Sequence, residues 1–299
     1  MENKMLTVNE NDLRAVFPKL PDRANKGSMG RVLCICGSYN GQGSAMCGAA
    51  YFAAMAAYRC GAGIVEVFTP RKNYESLASL VPEAVFSLYE YDEDENNVCA
   101  RLIESIKKSD SVVLGCGLGK SEMARALVSA TLQNVKCPLL IDADGLNIIS
   151  EDNDLWNHLC PEQRKQTVIT PHPGEMARIC KKSVKEILES TIETACEISR
   201  KYGVICLLKD HNTVITDGEL VYINQSGNPG MATAGMGDLL AGIIGALLSR
   251  VKSNGDMLFA VSAGAYLHGL AGDNAAEITG QYSLVASDAL AQISRCVPR

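Results

Sequence analysis

The sequence has few of the features that are typical of zinc-bound, disulfide-rich or exported proteins. It has 12 cysteines in 299 residues but no Cys-x-x-Cys pair, so neither a zinc framework nor a dense set of disulfides is expected. Cys34 and Cys36 are expected to face opposite sides of one strand. The opening segment "MENKMLTVNE" lacks the apolar core of a signal peptide. We therefore expect a reduced, cytoplasmic protein whose cysteines are buried.

Positive charge and long apolar segments are also scarce. The formal net charge is −6, which argues against general affinity for nucleic acid, because that affinity comes from neutralising phosphates. The apolar run at residues 239–249 is well short of the ~18 residues that a membrane-spanning helix needs. The composition is 47% hydrophobic, as expected of a chain with a full core. We expect a globular protein that holds any anionic ligand locally.

Apolar runs alternate with helical patterns along most of the chain. Strands covered on both faces are predicted at residues 31–36, 64–69, 111–115, 138–143, 167–170 and 203–209. Helices are predicted at residues 44–60, 123–133, 183–202, 238–250, 256–272 and 285–296. Because strands and helices alternate, the pattern predicts an α/β fold with a mostly parallel sheet and helices on both faces.

Two further segments bear on the domain organisation. The stretch "NTVITDGELVYINQ" predicts an antiparallel hairpin at one margin of the sheet. The acidic stretch "EYDEDENN" at residues 90–97 is predicted to be a solvated loop rather than a boundary. We expect a single domain over residues 1–299, with residues 1–25 as an N-terminal arm.

Glycine-rich loops follow several strands, which is where open α/β sheets bind ligands. The first, "CGSYNGQGSAM", leads into a helix rich in Ala and Gly; a tight turn alone would also explain it. The second, "GCGLGKS", is not a P-loop, because that motif would need glycine where Leu114 stands. Nor is it a Gly-x-Gly-x-x-Gly fingerprint, because Lys120 occupies the sixth place. A turn that directs backbone N–H groups toward a ligand remains open.

The motifs "DADGLN" and "TPHPGE" place polar residues at two more strand ends. The carboxylates of Asp142 and Asp144 could hold a hydrated Mg²⁺ ion, or Asp144 could cap the next helix. His172 stands between two prolines, so it is either a functional residue or the partner in a structural hydrogen bond. The residue types alone do not choose between these alternatives.

The segment "NPGMATAGMGDLLAGIIGALL", residues 228–248, places one acid before an uncharged helical run. Gly235, Gly237 and the helix start would present backbone N–H groups and the positive end of a helix dipole, which suits phosphoryl oxygens. Asp238 could be a helix cap worth about 1 kcal/mol. Alternatively it could be the base that accepts a proton from a hydroxyl attacking phosphorus.

Together these motifs resemble the ADP/ATP-dependent NAD(P)H-hydrate dehydratases of the ribokinase-like superfamily. The segments "KGSMGRVLCICGS", "GSAMCGAA", "GCGLG", "DADGLN", "TPHPGE", "LLKDHNTVI" and "NPGMATAGMGDLLAG" occur in the family's order, from about residue 26 to residue 272. The resemblance implies a ribokinase-like fold. It also implies nicotinamide nucleotide repair: the 6-hydroxyl of the S epimer of hydrated NADH or NADPH is phosphorylated by ADP or ATP, with Mg²⁺, and phosphate is then eliminated.

The resemblance also implies roles for individual residues. Asp238 would be the catalytic base and a substrate contact. The anion hole would comprise Gly235, Met236 and Gly237. The hydrated cofactor would be bound by Ser44, Gly117 and His172. The nucleotide would be held by Lys209, Asp210, His211, Asn212, Thr213 and Gly237. The phosphate and metal region would include Asp142, Asp144 and Asn147.

The sequence departs from the family pattern at two places. The family often has Lys-Gly where this chain has Lys209-Asp210, so backbone contacts to the nucleotide could differ there. Met236 stands where a small residue is usual, although a backbone N–H is what the anion hole needs. Family resemblance further implies a homotetramer, and a separate epimerase for the other epimer because about 25 residues precede "KGSMG". A ribokinase-like kinase of a vitamin-precursor alcohol and a non-catalytic nucleotide sensor remain as alternatives.

Overall fold

A computed structural model describes residues 5–39, 44–251 and 254–298, without the side chains of residues 254 and 255. Ten strands form one sheet in the order β1-β10-β9-β8-β7-β6-β5-β2-β3-β4. They are β1 (Met5–Leu6), β2 (Arg31–Ile35), β3 (Ile64–Pro70), β4 (Val85–Tyr89), β5 (Ser111–Leu114), β6 (Leu139–Ile141), β7 (Thr167–Ile169), β8 (Ile205–Leu208), β9 (Thr213–Thr216) and β10 (Val221–Asn224). Adjacent strands from β8 through β7, β6, β5, β2 and β3 to β4 are parallel, and β9 is antiparallel to both β8 and β10.

Helices cover both faces of the sheet, as the alternating pattern predicts. They are α1 (Leu13–Val16), α2 (Cys47–Arg59), α3 (Tyr74–Leu80), α4 (Glu95–Ile106), α5 (Glu122–Asn134), α6 (Ala143–Glu151), α7 (Pro161–Arg164), α8 (Pro173–Cys180), α9 (Val184–Glu189), α10 (Thr191–Tyr202), α11 (Met236–Leu248), α12 (Asn254–Thr279) and α13 (Ala286–Cys296). One buried core contains residues of α2, α11, α12 and α13, and the other contains residues of α4, α5, α6, α8 and α10.

The two cores divide the side chains of β2 alternately. Val32 and Cys34 belong to the core beside α2 and α11, whereas Leu33 and Ile35 belong to the opposite core. Cys36 lies in the same core as Cys34. The expectation that these two cysteines face opposite sides is therefore wrong, because residues two apart on an extended chain face the same side.

The predicted strands are present with ends that differ by a few residues, and the hairpin of β9 and β10 is confirmed. The single helix predicted at residues 183–202 is wrong, because Ser190 leaves the helical conformation between α9 and α10. Its hydroxyl donates a hydrogen bond to the Glu186 carbonyl oxygen, 2.9 Å away, a local bond of the kind that competes with helix.

The acidic stretch at residues 90–97 is a loop only in its first half. The Asp94 carboxylate accepts hydrogen bonds from the backbone N–H groups of Asn96 and Asn97, and α4 begins at Glu95. Asp94, one of the acidic residues that suggest a solvated loop, is therefore a helix cap. The structure also contains β1, β4, α1, α3, α4 and α7, which the sequence patterns do not predict.

The N-terminal segment is attached to the main body. Within the predicted arm of residues 1–25, β1 pairs with β10 and Leu13 is fully buried. Over the described residues, no helix is both long and apolar enough to cross a lipid bilayer.

Candidate active site

The carboxyl ends of β5, β6, β7 and β8 bring four of the predicted motifs together. The strands are neighbours in the sheet, so the segments that follow them meet at one edge. The loop after β5 is bound to the first turn of α6, since the Gly119 N–H donates to Asp144 Oδ2 at 2.8 Å. Gly115 has a φ of 115°, and a Cβ there would stand 2.1 Å from the Asp142 carbonyl oxygen. Glycine is needed at Gly115 for both its φ angle and its lack of a side chain.

Asp144 and Asn147 connect the loop after β5 to α8. Asn147 Nδ2 donates to Asp144 Oδ1 at 3.4 Å, and Arg178 donates to Asn147 Oδ1 at 3.0 Å. Helix α6 has no side-chain cap, so the capping alternative for Asp144 is wrong. The Asp144 carboxylate instead holds the glycine-rich loop after β5 by its bond to the Gly119 N–H. Between the two acids, Ala143 has a φ of 47°, a left-handed conformation that is uncommon without glycine.

An ion pair between the partly buried Lys209 and a buried aspartate lies at this edge. Lys209 Nζ is 2.7 Å from Asp142 Oδ1, and Asp142 is only 2% exposed. The backbone N–H of Lys209 donates to the Pro171 carbonyl oxygen at 2.9 Å, which ties the end of β8 to the loop after β7. Burial alone would lower the pKa of Lys209, but the charges of Asp142 and Glu175 outweigh it and the net shift is upward. Lys209 therefore remains a cation inside the site.

The "TPHPGE" loop forms the N-terminus of α8 with a reciprocal cap. His172 Nδ1 accepts a hydrogen bond from the Gly174 N–H at 3.0 Å, and Glu175 Oε2 accepts one from the His172 N–H at 2.9 Å. Since Nδ1 is the acceptor, the proton of a neutral imidazole is on Nε2. Burial first, and then the charges of Lys209 and Arg178, lower the pKa of His172. The structural hydrogen bond, one of the two alternatives that the sequence offers for His172, is therefore present.

The first turn of α11 lies beside this ion pair. Gly235 precedes the helix with a φ of 92°, and α11 begins at Met236, two residues earlier than predicted. A Cβ on Gly237 would stand 3.5 Å from Lys209 Nζ and 3.6 Å from Asp142 Oδ2. The first N–H groups of a helix have no partner within it. Gly237 of the predicted anion hole thus adjoins the Lys209 ammonium.

Asp238 stands in that first turn and does not cap the helix, since α11 has no side-chain cap bond. The plain capping alternative is therefore wrong. Burial and then the charge of Asp142 raise the pKa of Asp238 to about 6, although a hydrogen bond from Cys116 and the charge of Lys209 oppose the shift. A carboxylate with such a pKa is deprotonated near neutral pH and accepts a proton more readily than an ordinary aspartate.

The remaining predicted residues lie in the segments that follow β2, β5 and β8. The turn from β8 to β9 carries Asp210, His211, Asn212 and Thr213; the first three are exposed and the last is partly buried. Gly117 lies against the segment that leads into α2, because a Cβ there would stand 2.9 Å from the Cβ of Met46. Ser44 is exposed and lies two residues before Met46. Residues 40–43 of the loop "CGSYNGQGSAM" lie outside the described residues.

The sequence patterns missed three residues that support the site. Glu175 and Cys116 lie inside quoted motifs, but nothing in the sequence shows that they reach Lys209 and Asp238. Asp273 of α12 accepts hydrogen bonds from the Gly227 N–H and from Asn228 Nδ2, both at 2.9 Å, and so holds the Asn-Pro-Gly loop. The small residues before Asp273 in "HGLAGD" are the sequence feature that could have indicated that another segment packs closely against α12 there.

Comparison with known proteins identifies relatives over nearly the whole chain. The family model described as NAD(P)H-hydrate dehydratase matches residues 32–295. A bifunctional NAD(P)H-hydrate repair enzyme of Coxiella burnetii is 37% identical over 279 residues, which are 92% of this chain and 52% of that one. The chain therefore spans about half the length of this relative. An ADP-dependent (S)-NAD(P)H-hydrate dehydratase of Lactiplantibacillus plantarum is 33% identical, and the match covers 86% of this chain and 85% of that one.

Solved structures share the fold. A ribokinase-like superfamily protein of Enterococcus faecalis superposes with a TM-score of 0.83 and 26% sequence identity, covering 98% of this chain and 95% of that one. The predicted fold is an α/β fold with a mostly parallel sheet, helices on both faces and an antiparallel hairpin at one margin of the sheet. It is thus confirmed as ribokinase-like.

Proposed function

This chain belongs to the NAD(P)H-hydrate dehydratase family, and on that premise we propose that it repairs hydrated nicotinamide nucleotides. The substrate would be the S epimer of hydrated NADH or NADPH, and ADP or ATP would supply the phosphoryl group. The observation that carries the proposal is the position of Asp238 in the first turn of α11, with a pKa raised to about 6. A proton acceptor and the N-terminus of a helix are what phosphoryl transfer to a hydroxyl requires.

The proposed reaction has two steps. Asp238 accepts the proton of the 6-hydroxyl while that oxygen attacks the terminal phosphorus of the nucleotide, so a new P–O bond forms and the bridging P–O bond breaks. The first-turn N–H groups of α11 and Lys209 stabilise the charge on the phosphoryl oxygens. The phosphorylated intermediate then loses phosphate from one ring carbon and a proton from its neighbour, which restores the double bond. Phosphorylation thus converts a poor leaving group into a good one.

Mg²⁺ fits the chemistry of this site. No group of three or more His, Cys, Asp and Glu side chains is arranged to hold a metal within the part of the chain that the structure describes. Mg²⁺ is usually bound by one or two carboxylates together with water and substrate phosphates, and so does not require such a group. We propose Asp142 and Asp144 as its carboxylates, with Asn147 nearby. When bound, the ion would neutralise charge on the phosphates.

We propose two ligand sites. Gly237 and the turn of residues 209–213 would hold the AMP part of the nucleotide, whereas Ser44, Gly117 and His172 would contact the hydrated cofactor. The name of the Lactiplantibacillus plantarum relative supports ADP as the phosphoryl donor. We further propose one domain over residues 1–299 that acts as a homotetramer. All twelve cysteines are free thiols, which supports a reduced cytoplasmic setting. Seven of them are buried, whereas Cys160 is exposed and Cys47, Cys99, Cys137 and Cys180 are partly buried, so the expectation that the cysteines are buried is wrong for these five.

The test is recovery of reduced nicotinamide absorbance from enzymatically hydrated NADPH, with Mg²⁺ and either ADP or ATP. We expect recovery of the S epimer with at least one nucleotide, and recovery of the other epimer only when a separate epimerase is added. If neither nucleotide supports recovery, the proposal fails. A stable phosphorylated alcohol as the product would instead favour a ribokinase-like kinase, and binding of nucleotide without turnover of any substrate would favour a sensor.

A further inference from the structure

Glu175 is a buried carboxylate whose contacts connect the two proposed ligand sites. It is 5% exposed. Its Oε2 accepts the hydrogen bond from the His172 N–H at 2.9 Å and lies 4.0 Å from Lys209 Nζ. Its other oxygen, Oε1, lies 3.5 Å from His172 Nε2. One side chain therefore touches a residue of the proposed cofactor pocket and a residue of the proposed nucleotide site.

Helix capping alone does not explain this position. The same reciprocal cap occurs at α9, where Glu186 accepts a hydrogen bond from the Ser183 N–H at 2.8 Å. Glu186 is exposed, as a carboxylate that only caps a helix can be. Glu175 makes an equivalent bond but is buried, and burial raises its pKa. Burying a carboxylate has a cost in free energy that capping does not require.

The position of Lys209 supplies a reason for the burial. The Lys209 ammonium forms a close pair with Asp142 on one side and has Glu175 on another. Asp142, Glu175 and the start of α11 beside Gly237 therefore surround the end of one flexible side chain. Without Glu175, the close pair with Asp142 would hold the ammonium from one direction only, and the ammonium could turn about that contact. A second carboxylate fixes its direction.

We propose that Glu175 is a positioning residue that directs the Lys209 ammonium toward the first turn of α11 while it holds His172 in one orientation. Glu175 acts through these two residues and does not itself touch the nucleotide. The inference rests on the proposed function for its effect on turnover, but its effect on nucleotide binding can be measured without turnover.

The test is Glu175→Gln, which keeps the size of the side chain and an oxygen that can accept the His172 N–H bond but removes the charge. We expect the Kd for ADP to rise about three- to tenfold, because Lys209 is no longer fixed beside the phosphates. We expect kcat to fall by about a hundredfold, since a displacement of about 1 Å can have that effect on a reacting group. Titration calorimetry with ADP and the absorbance assay measure the two quantities.

Glu186→Gln is the matched control, because it removes the charge from a capping glutamate of the same geometry outside the site. It should leave the ADP affinity and kcat unchanged. A thermal melt of each variant shows whether it is folded. If Glu175→Gln is folded and behaves like Glu186→Gln in both measurements, Glu175 is only a helix cap and the inference is wrong.

A double-mutant cycle separates positioning through Lys209 from a general disturbance of the site. Lys209→Met removes the ammonium, so adding Glu175→Gln should change the ADP affinity no further. If Glu175→Gln weakens ADP binding equally with and without Lys209, the inference is overturned. If the wild-type protein binds ADP but recovers no reduced nicotinamide, the proposed function fails, while the binding arm of this cycle still tests Glu175.

Discussion

Gly242 of α11 lies directly against the carbonyl group of Ala53 in α2. A Cβ on Gly242 would stand 2.1 Å from the Ala53 oxygen and 2.9 Å from the Cβ of Ala56. On the sheet side, a Cβ on Gly245 would stand 2.5 Å from Val113 Cγ2. The uncharged helix that begins with the proposed anion hole is thus held between α2 and β5 at distances that only glycine allows.

The first prediction concerns this packing. Gly242→Ala should destabilise the protein by about 1–3 kcal/mol, because the added methyl group meets backbone atoms, and this outweighs the gain of about 1 kcal/mol in helix propensity. Urea unfolding measures the change. Gly48→Ala in α2 is the control, since a Cβ there meets nothing within 4 Å, and it should be neutral or stabilising. Equal stability of the two variants would contradict the close packing.

The second prediction concerns the proposed base. Asp238→Asn should retain ADP affinity within about threefold but lose at least about a hundredfold in kcat, because an amide cannot accept the hydroxyl proton. Calorimetry and the absorbance assay check the two parts. Asp94→Asn, which replaces one good helix cap by another far along the chain, should leave both unchanged. Near-normal turnover by Asp238→Asn would remove its catalytic role.

The third prediction is the pH dependence of catalysis. The pKa of Asp238 is about 6, and a base must be deprotonated, so kcat/KM should be constant above that pH and fall about tenfold per unit below it. Rates measured from about pH 5 to about pH 8 test this. Cys116→Ala removes the hydrogen bond that lowers this pKa, so it should move the acid limb to higher pH. An unmoved limb would show that another group controls the profile.

The fourth prediction concerns the stability of Asp238→Asn. Folding raises the pKa of Asp238 from 3.8 to about 6, so its charged form destabilises the folded state above pH 6. The effect shrinks as the pH falls toward 3.8 and disappears below that value. At pH 7.5 the variant should therefore be more stable than the wild type, by at most about 3 kcal/mol. Urea unfolding near pH 7.5 and near pH 4 tests this; a gain that does not shrink at the lower pH contradicts it.

The class of the fold and the segments that form the site can be predicted from the amino-acid sequence. Apolar runs alternating with helical patterns predict parallel strands, because both faces of such strands are covered. Glycine clusters and acids at the ends of those runs predict where loops meet, since the carboxyl ends of parallel strands share one edge. The order of the seven motifs predicts the family, which the family model and the relatives confirm. The catalytic and binding roles stay predictions.

Which of those residues are in contact depends on the three-dimensional arrangement of the strands. Asp142 and Lys209 are 67 positions apart, and Glu175 follows a different strand from either. Their meeting depends on β6, β7 and β8 being neighbours in the sheet, which local patterns do not encode. The same holds for the pKa of Asp238, which is set by burial and by Asp142, Cys116 and Lys209. Periodicity along a chain reports which side of an element is buried, whereas charge and hydrogen bonding depend on what the neighbouring elements bring to that side.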